Sequence, residues 1–385
     1  PVVDVNNNPA NPVINIRAFG ETPEIVSQLA TAYIHGAADY PVLTCAKHFP
    51  GHGDTATDSH WELPVINHDR ARLESIELPP FQAAIRAGVD SIMSAHLMIP
   101  ALDPELPATL SQRILTEELR QKLGFEGLIS TDALVMGAIA DRYGKHEAPV
   151  MSVAAGSDMI LMPVDPEIAI QAVCAAVNSG RISAERIKAS VGRIWRSKQK
   201  LFKDWDGVTL TQSPVNSQPA TLTTLAQPES MAVADHMLQE SLVTQGNLPI
   251  KPAPGRNMIV LEEILDTTFL SRSTPAVTIP GKLGYKLQLI NRHSPTIDIP
   301  ANEPAILQLF IRTSPFSGGL GITSVAKQLF QQLLDRHQLQ GLVIYGSPYL
   351  MADFAPHLPP AVPCVFCYGQ MAAAQSIALD RLFGS

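Results

Sequence analysis

The sequence lacks several features that would assign it to a special class of protein. No run of eighteen or more apolar residues occurs, which excludes a long hydrophobic span across a bilayer. Lysine and arginine (28) are outnumbered by aspartate and glutamate (36), and no long basic cluster interrupts this balance. Nucleic acids and anionic membranes are therefore poor partners for this chain.

Cysteine is scarce, with four residues in a chain of 385, so a disulfide scaffold is excluded. Cys45 and Cys174 stand alone in apolar segments, where we expect them to pack as small hydrophobic residues. Cys364 and Cys367 form a CxxC pattern inside an apolar run. One such pair cannot complete a four-ligand zinc site, and reduced strand cysteines are favoured over a redox pair.

The first residue is Pro1 rather than methionine, and no signal-like segment precedes the apolar residues 2–5. We expect this stretch to be a strand already inside a domain, so that the chain begins after part of its fold. The absence of a signal peptide then says nothing about export. A cytoplasmic location is expected, with export left open.

The first half of the chain repeats the order strand, loop, helix, which predicts parallel β/α units in a barrel or an open doubly wound sheet. The helix predicted at 23–35 has Thr22 as its cap and carries Ile25, Leu29 and Tyr33 on one face. Five strands are too few to close a (β/α)8 TIM-type barrel, so we predict such a barrel with about three of its strands preceding Pro1, followed by a smaller α/β sandwich domain. The predicted strands are 2–5, 42–47, 91–95, 127–131 and 157–162, and further helices are predicted at 68–88, 111–123, 166–179 and 183–201.

The composition divides the chain into a catalytic domain at 1–203, a linker at 204–228 rich in Thr, Gln, Ser and Pro, and a smaller α/β domain at 229–385. The second domain contains neither GxGxxG nor GxxxxGK[ST], so neither a dinucleotide nor a P-loop site is indicated. Its proline-rich part, 248–304, is predicted to be mostly loop and edge. Its predicted strands are 257–261, 305–311, 341–345 and 362–366.

The densest group of chemically active residues is the stretch KHFPGHGDTATDSH, from Lys47 to His60, directly after an apolar run. Asp58 and His60 lie two apart and share a face if the segment is extended. A carboxylate beside an imidazole can support proton transfer near neutral pH. A solvated loop pair is the alternative interpretation.

Asp132 ends a predicted strand, where a carboxylate can act as a nucleophile or base, or can cap the following helix. Arg17, Lys47 and His48 are possible donors to a polar substrate, or partners in salt bridges. His96 ends another strand, and a supporting or packing role is favoured. A zinc or manganese site built from residues of the same loop is a further alternative, although its spacing fits no compact ligand motif. That alternative would use His48, His52, Asp54, Asp58 and His60.

KHFPGHGDTATDSH followed by WELP, together with STDALVMGAI, resembles the two signatures of bacterial β-N-acetylglucosaminidases of glycoside hydrolase family 3. NPVINIRAFGE resembles an upstream loop of the same family. The resemblance covers residues 1–203, and the second domain is more loosely similar to the α/β sandwich that follows the barrel in longer members.

The resemblance implies a retaining reaction in which Asp132 is the nucleophile and His60 is the acid/base, assisted by Asp58. It also implies that the donors Arg17, Lys47 and His48 hold the sugar. The family uses an aspartate from an early barrel strand to hold sugar hydroxyls, and no residue here matches it by motif, Asp4 included.

The function expected from this resemblance is an exo-β-N-acetylglucosaminidase (a β-hexosaminidase) that acts on cell-wall fragments or chitooligosaccharides. No metal or organic cofactor is expected. The expected partner is a small carbohydrate substrate, with no nucleic acid and no membrane span, and the sequence does not predict an oligomeric state. A phosphorylase or β-glucosidase of the same family, a metallohydrolase, and a sugar-binding protein without catalysis are the alternatives. A neutral imidazole repels anions less than a carboxylate does, so phosphate can replace water as the acceptor.

Overall fold

The computed structural model describes residues 1–57, 62–201, 225–261, 268–291, 294, 297, 299–311 and 324–384. The described residues up to 201 form one compact unit, and those from 225 onwards form a second. Most of the predicted linker at 204–228 lies outside the described residues. No helix in the described part of the chain is long and apolar enough to cross a membrane.

The first unit is built on a four-stranded parallel sheet in the order β1-β2-β3-β4. The α/β class and parallel sheet predicted from the sequence are therefore confirmed. Across the described residues the sheet is not closed into a barrel. Beside β1, the segment predicted as the first strand forms one parallel bridge, from Val2 to Lys47. The strands are β1 (Cys45–Phe49), β2 (Ser91–Ser94), β3 (Leu128–Ala133) and β4 (Met159–Leu161).

Helices and strands alternate along the first unit, beginning with the helix α1. Thr22 caps α1 by accepting a hydrogen bond from the Ile25 N–H group (3.4 Å), as its sequence predicts. The buried face of α1, however, is Val26, Ala30 and Ile34, and the face of Ile25, Leu29 and Tyr33 is exposed. The α-helices are α1 (Pro23–Ala38), α2 (Arg70–Arg72), α3 (Leu78–Arg86), α4 (Gly137–Ala155), α5 (Pro166–Asn178) and α6 (Ala184–Leu201), with π-helical segments at Leu73–Glu77 and Arg113–Lys122.

The core of the first unit lies between β1–β3 and the helices that cover them. The rings of Phe49 in β1 and Phe81 in α3 meet edge to face, with centroids 5.2 Å apart. Both side chains are fully buried, which stabilises the fold by removing apolar area from water. This packing holds the carboxyl end of β1 in place.

The second unit is a six-stranded sheet in the order β5-β10-β9-β8-β6-β7, parallel except for β5, with a hydrophobic core on each face. The predicted strands are present, but the 248–304 segment also contains a helix and the edge strand β7. The strands are β5 (Val243–Gln245), β6 (Gly255–Leu261), β7 (Tyr285–Ile290), β8 (Ala305–Ile311), β9 (Leu339–Gly346) and β10 (Cys364–Cys367). The helices are α7 (Pro228–Glu240), α8 (Pro275–Lys282), α9 (Ser324–Asp335), α10 (Tyr349–Phe354) and α11 (Ala372–Phe383).

The CxxC cysteines lie in β10 but belong to different cores. Cys364 packs in the core on one face of the sheet and Cys367 in the core on the other. Burial raises the pKa of the Cys364 thiol to about 12 and also raises the pKa of Cys367. Two thiols on opposite faces of a strand cannot pair, so these cysteines are packing residues, as the favoured interpretation held.

Candidate active site

A buried carboxylate, Asp4, organises the loop that follows β1. Its Oδ1 atom accepts hydrogen bonds from the backbone N–H groups of His48 (3.0 Å) and His52 (2.7 Å). Its Oδ2 atom lies 2.8 Å from Nδ1 of His48. The Asp4 side chain is fully buried, and these three contacts satisfy it without a lysine or arginine among the described residues.

Two of the three predicted sugar-binding donors meet beside this carboxylate. Arg17 ends a short 3-10 turn, Asn15–Arg17, and its Nη2 atom lies 3.5 Å from Nε2 of His48. Its Nη1 atom donates to the Val13 carbonyl (3.0 Å), which holds the guanidinium beside Nε2 of the imidazole. Lys47 is half-buried one residue earlier in β1, and its amine makes no hydrogen bond to another described residue.

His52 packs within the loop as a neutral ring and does not supply a positive charge to the site. Its ring packs edge to face against His48, with centroids 6.1 Å apart, and its Nδ1 atom lies 3.0 Å from the Thr55 hydroxyl. Burial lowers the pKa of His52 to about 4, despite the opposing attraction of Asp4. The ring is therefore neutral at physiological pH.

Asn11 ties the arginine turn to the same loop. Its Nδ2 atom donates to the carbonyls of His52 (2.8 Å) and Gly53 (2.9 Å), and its Oδ1 atom accepts from the N–H groups of Val13 and Ile14. Gly53 is required here, because a Cβ atom would lie 1.8 Å from the Val5 carbonyl oxygen. The two segments that carry Arg17 and His48 are therefore held as one assembly.

Asp54 pairs with His68 and Arg72 rather than with His48 or His52. Its carboxylate contacts Nε2 of His68 (2.8 Å) and Nη2 of Arg72 (3.4 Å). Within the parts of the chain that the structure describes, no group of three His, Cys, Asp or Glu side chains is arranged to hold a metal ion. The predicted dyad, Asp58 and His60, lies outside the described residues.

Asp132 lies at the carboxyl end of β3, where the sequence places it. Its Oδ1 atom accepts a hydrogen bond from the Ala133 N–H group (2.8 Å). Burial would raise the pKa of Asp132, but His48, His96 and the Ala133 N–H group outweigh it and hold the pKa below its usual value. The cap position of α4 is Met136, so the helix-cap alternative for Asp132 is wrong.

His96 braces the peptide that follows Asp132. Its Nε2 atom lies 3.0 Å from the Ala133 carbonyl oxygen, and its Nδ1 atom lies 2.8 Å from the Thr109 hydroxyl. Thr109 in turn donates to the Ala95 carbonyl (2.9 Å). His96 therefore links the carboxyl ends of β2 and β3, which agrees with the supporting role favoured from the sequence.

Chemically, this edge of the sheet places the ionised, partly exposed carboxylate of Asp132 near the imidazoles of His48, His96 and His52, with the guanidinium of Arg17 beside His48. Such a set can attack an electrophilic carbon and can bind hydroxyl groups through the cationic donors. Sequence reasoning missed Asp4, Asn11 and Thr109. Asp4 did carry a signal, because a single acid inside an apolar strand is costly to bury unless it is paired.

Comparison with known proteins gives a consistent result for both units. The family model described as "Glycosyl hydrolase family 3 N terminal domain" matches residues 1–197, and "Bacterial Glycosyl hydrolase family 3 C-terminal domain" matches residues 251–384. The N-terminal match alone spans half of the chain.

Among curated proteins, Beta-hexosaminidase A of Pseudoalteromonas piscicida is 38% identical over 238 residues, covering 56% of this chain and 40% of that protein. A Beta-hexosaminidase of Chromobacterium violaceum is 34% identical over 218 residues, covering 56% of this chain and 59% of that protein. The matches thus span about half the length of these relatives.

Among solved structures, a glycoside hydrolase family 3 beta-N-acetylglucosaminidase from Paenibacillus sp. str. FPU-7 superposes with a TM-score of 0.80 at 31% identity. The superposition covers 100% of this chain and 73% of that one. Taken with the two matching family models, this likeness shows that the chain belongs to glycoside hydrolase family 3.

Proposed function

We propose that the protein is a retaining exo-β-N-acetylglucosaminidase that removes terminal β-linked N-acetylglucosamine from cell-wall fragments or chitooligosaccharides. The observation that carries the proposal is the ionised carboxylate of Asp132 at the strand-end edge where Arg17 and His48 also lie. The similar proteins are named as hexosaminidases and an N-acetylglucosaminidase, and these names support this choice of sugar.

In the first step, the Asp132 carboxylate attacks the anomeric carbon. A new C–O bond forms to the aspartate as the bond to the leaving oxygen breaks, and protonated His60 gives that oxygen its proton. In the second step, water attacks the anomeric carbon of the glycosyl-aspartate, neutral His60 takes the proton of this water, and the Asp132 carboxylate is released. Two displacements retain the anomeric configuration.

Within this mechanism, the roles of His60 and Asp58 rest on the sequence motif. Asp58 stabilises the imidazolium form of His60, so that the ring can act as an acid and then as a base. Retaining glycosidases commonly use two carboxyl groups about 5–5.5 Å apart, and an imidazole replaces one of them here.

Arg17, Lys47 and His48, at the carboxyl end of β1 and beside it, bind the sugar. Arg17 and His48 lie together and face one region, so they can hold neighbouring atoms of one hydroxyl or of two adjacent ones. The half-buried amine of Lys47 supplies a further donor to an oxygen of the sugar. Because all three are held by the β1 loop and the arginine turn, the sugar ring is positioned against Asp132 before reaction.

We also propose that the open sheet of the first unit is an arc of a (β/α)8 barrel. Its strands are parallel, and the proposed chemistry gathers at their carboxyl ends, as in such barrels. At the β4 edge, the side chains of Met159 and Leu161 are exposed (45% and 37%), and an open apolar edge favours pairing with another strand.

The test is nitrophenol release from the β-N-acetylglucosaminide and from the β-glucoside, each with and without phosphate. We expect turnover of the N-acetylglucosaminide alone, independent of phosphate, and retention of configuration when the product is followed by NMR. Phosphate-dependent turnover would instead identify a phosphorylase, and preference for the glucoside a β-glucosidase. Turnover lost in a strong chelator and restored by metal would identify a metallohydrolase, and sugar binding without turnover would contradict the enzymatic proposal.

A further inference from the structure

Asp4 is used by none of the chemical steps above, although it is the most enclosed carboxylate at this edge of the sheet. Its side chain has no exposed surface, and its partners are two backbone N–H groups and one imidazole nitrogen. Burial would raise the pKa of Asp4, but its contacts with His48, which include hydrogen bonds from the ring and from the backbone N–H group, outweigh this effect and lower the pKa. Asp4 is therefore a carboxylate, which can only accept hydrogen bonds.

This acceptor decides where the hydrogen of the His48 ring lies. A hydrogen bond between Oδ2 of an ionised Asp4 and Nδ1 of His48, at 2.8 Å, requires the hydrogen on Nδ1. On the other side of the ring, Nε2 faces Nη2 of Arg17, a group that can only donate. A lone pair on Nε2 suits that neighbour, whereas a hydrogen there would place two donors against each other.

We infer that Asp4 is a positioning residue: it holds His48 as the Nδ1–H tautomer, so that Nε2 accepts a hydrogen bond from a substrate hydroxyl. The inference rests on the proposed function for the identity of that substrate. A sugar hydroxyl can donate to Nε2 of His48 and accept from Arg17 at the same time. The pair therefore selects a hydroxyl over a group that only accepts or that cannot hydrogen-bond at all.

The substitution Asp4→Asn tests this without removing the buried contacts. The amide oxygen of asparagine can still accept from the N–H groups of His48 and His52, where Oδ1 of Asp4 does so now. The amide nitrogen would take the place of Oδ2 and donate to Nδ1 of His48, which moves the ring hydrogen to Nε2. A donor would then face both Arg17 and the substrate.

The matched control is Asp103→Asn. Asp103 is also buried in the first unit, accepts two backbone N–H groups through Oδ1, and accepts a side-chain hydrogen bond through Oδ2, but from the Ser111 hydroxyl. A hydroxyl group can rotate so that it accepts a hydrogen bond instead of donating one. A neutral imidazole can accept at Nδ1 only if its hydrogen moves to Nε2. Thermal unfolding of both variants checks that each remains folded.

The first readout is the ¹⁵N NMR spectrum of the labelled full chain, with the His48 signals assigned by their loss in His48→Gln. We expect the Nδ1–H tautomer in the unchanged protein and in Asp103→Asn, and the Nε2–H tautomer in Asp4→Asn. An unchanged His48 tautomer in Asp4→Asn, or an imidazolium or Nε2–H form in the unchanged protein, would overturn the inference.

The second readout is kcat/KM on nitrophenyl N-acetylglucosaminide and on analogues that each lack one sugar hydroxyl. Asp4→Asn should lower kcat/KM by roughly 10- to 100-fold, the usual cost of leaving a buried polar group mismatched. Asp4→Asn should also remove the enzyme's preference for the substrate over the analogue that lacks the hydroxyl bound by His48. Asp103→Asn should change neither kcat/KM nor this preference. Full retention of all preferences by Asp4→Asn would contradict the inference. Full turnover by Asp132→Ala would contradict the proposed function instead, and the NMR result would still decide the role of Asp4.

Discussion

Aspartates lie at both ends of the parallel sheet, and the groups that surround them differ. At the amino end of β4, the side chain of Asp158 is fully buried and contacts Arg120, Arg186 (3.4 Å) and Arg193 (3.0 Å). At the carboxyl end, Asp4 contacts an imidazole and two backbone N–H groups, and Asp132 accepts from one backbone N–H group. The amino end is thus closed by fixed cations, and the carboxyl end is not.

Because of this difference, we assign stability to the amino end of the sheet and chemistry to its carboxyl end. Burial lowers the pKa of Arg120 to about 10, so the guanidinium still carries its charge at neutral pH and cannot exchange protons there. Imidazoles, in contrast, can change tautomer or protonation near neutral pH. Asp132 keeps an oxygen that is bonded to no other described residue, which leaves it available to a ligand. We therefore expect substitutions at the carboxyl end to lower turnover and substitutions at the amino end to lower the free energy of unfolding.

The largest expected effect is on turnover, at the carboxyl end. Asp132→Ala should lower kcat by about 10⁴-fold or more, because a catalytic nucleophile is lost. The free energy of unfolding should change little, because the only described hydrogen bond of Asp132 is to the adjacent residue. Rate assays and urea unfolding measure both quantities, and the control is Asp141→Ala, an exposed aspartate in α4. If Asp132→Ala lost stability and kept its turnover, the assignment of chemistry to the carboxyl end would be contradicted.

At the amino end, the expected loss is in stability. Asp158→Asn should lower the free energy of unfolding by about 3–5 kcal/mol, because buried guanidinium groups lose their counter-charge. Turnover per folded molecule should be unchanged. Urea unfolding provides the measurement, and Glu147→Gln provides the control, since its pair with Arg181 is exposed and should contribute at most about 1 kcal/mol. Equal losses in the two variants would show that Asp158 is not a structural centre.

Acid should lower the free energy of unfolding because His52, near the carboxyl end of β1, is buried in its neutral form. Its folded pKa of about 4 lies below the ordinary value of 6.5, so the unfolded chain binds more protons between these pH values. The stability due to neutral His52 is present above pH 6.5 and is lost as the pH falls toward 4, by roughly 3 kcal/mol. His52→Gln should flatten the dependence of unfolding free energy on pH across this window. An equally steep dependence in that variant would contradict the assignment.

The smallest expected effect concerns the brace on Asp132. His96→Ala removes the hydrogen bond to the Ala133 carbonyl and should lower kcat by roughly 10-fold, with KM nearly unchanged, because one hydrogen bond that orients the nucleophile is lost. His96→Gln, which can still donate to that carbonyl, should restore most of kcat. Thr109→Val should resemble His96→Ala more weakly. A rise in KM with constant kcat would instead indicate that His96 binds substrate directly.

The parts of the fold that depend on local sequence could be predicted. Thr22 and Pro23 mark the start of α1 through local hydrogen bonding and backbone geometry, and the apolar run of β3 places Asp132 at a strand end. The buried face of α1 could not be assigned, because two stripes of apolar residues have helical spacing and only packing selects Val26, Ala30 and Ile34.

The supporting residues of the site were harder to predict for a related reason. Asp4 and His48 are 44 positions apart, and Thr109 and His96 are 13 apart, so no local pattern joins them. Their roles arise from adjacent strand ends that meet only when the sheet forms. The edge strand β7 was missed because the prolines around it resemble a loop, and an edge position tolerates its half-exposed side chains.

The most direct test of the account is to identify the residue that becomes glycosylated. The protein is reacted with a fluorinated N-acetylglucosaminyl fluoride that forms a glycosyl-enzyme quickly and hydrolyses slowly, then digested and analysed by mass spectrometry. We predict one sugar per chain, attached to Asp132 and absent from Asp132→Ala. A sugar attached to another carboxylate, or turnover with no covalent adduct at any time, would contradict the central claim.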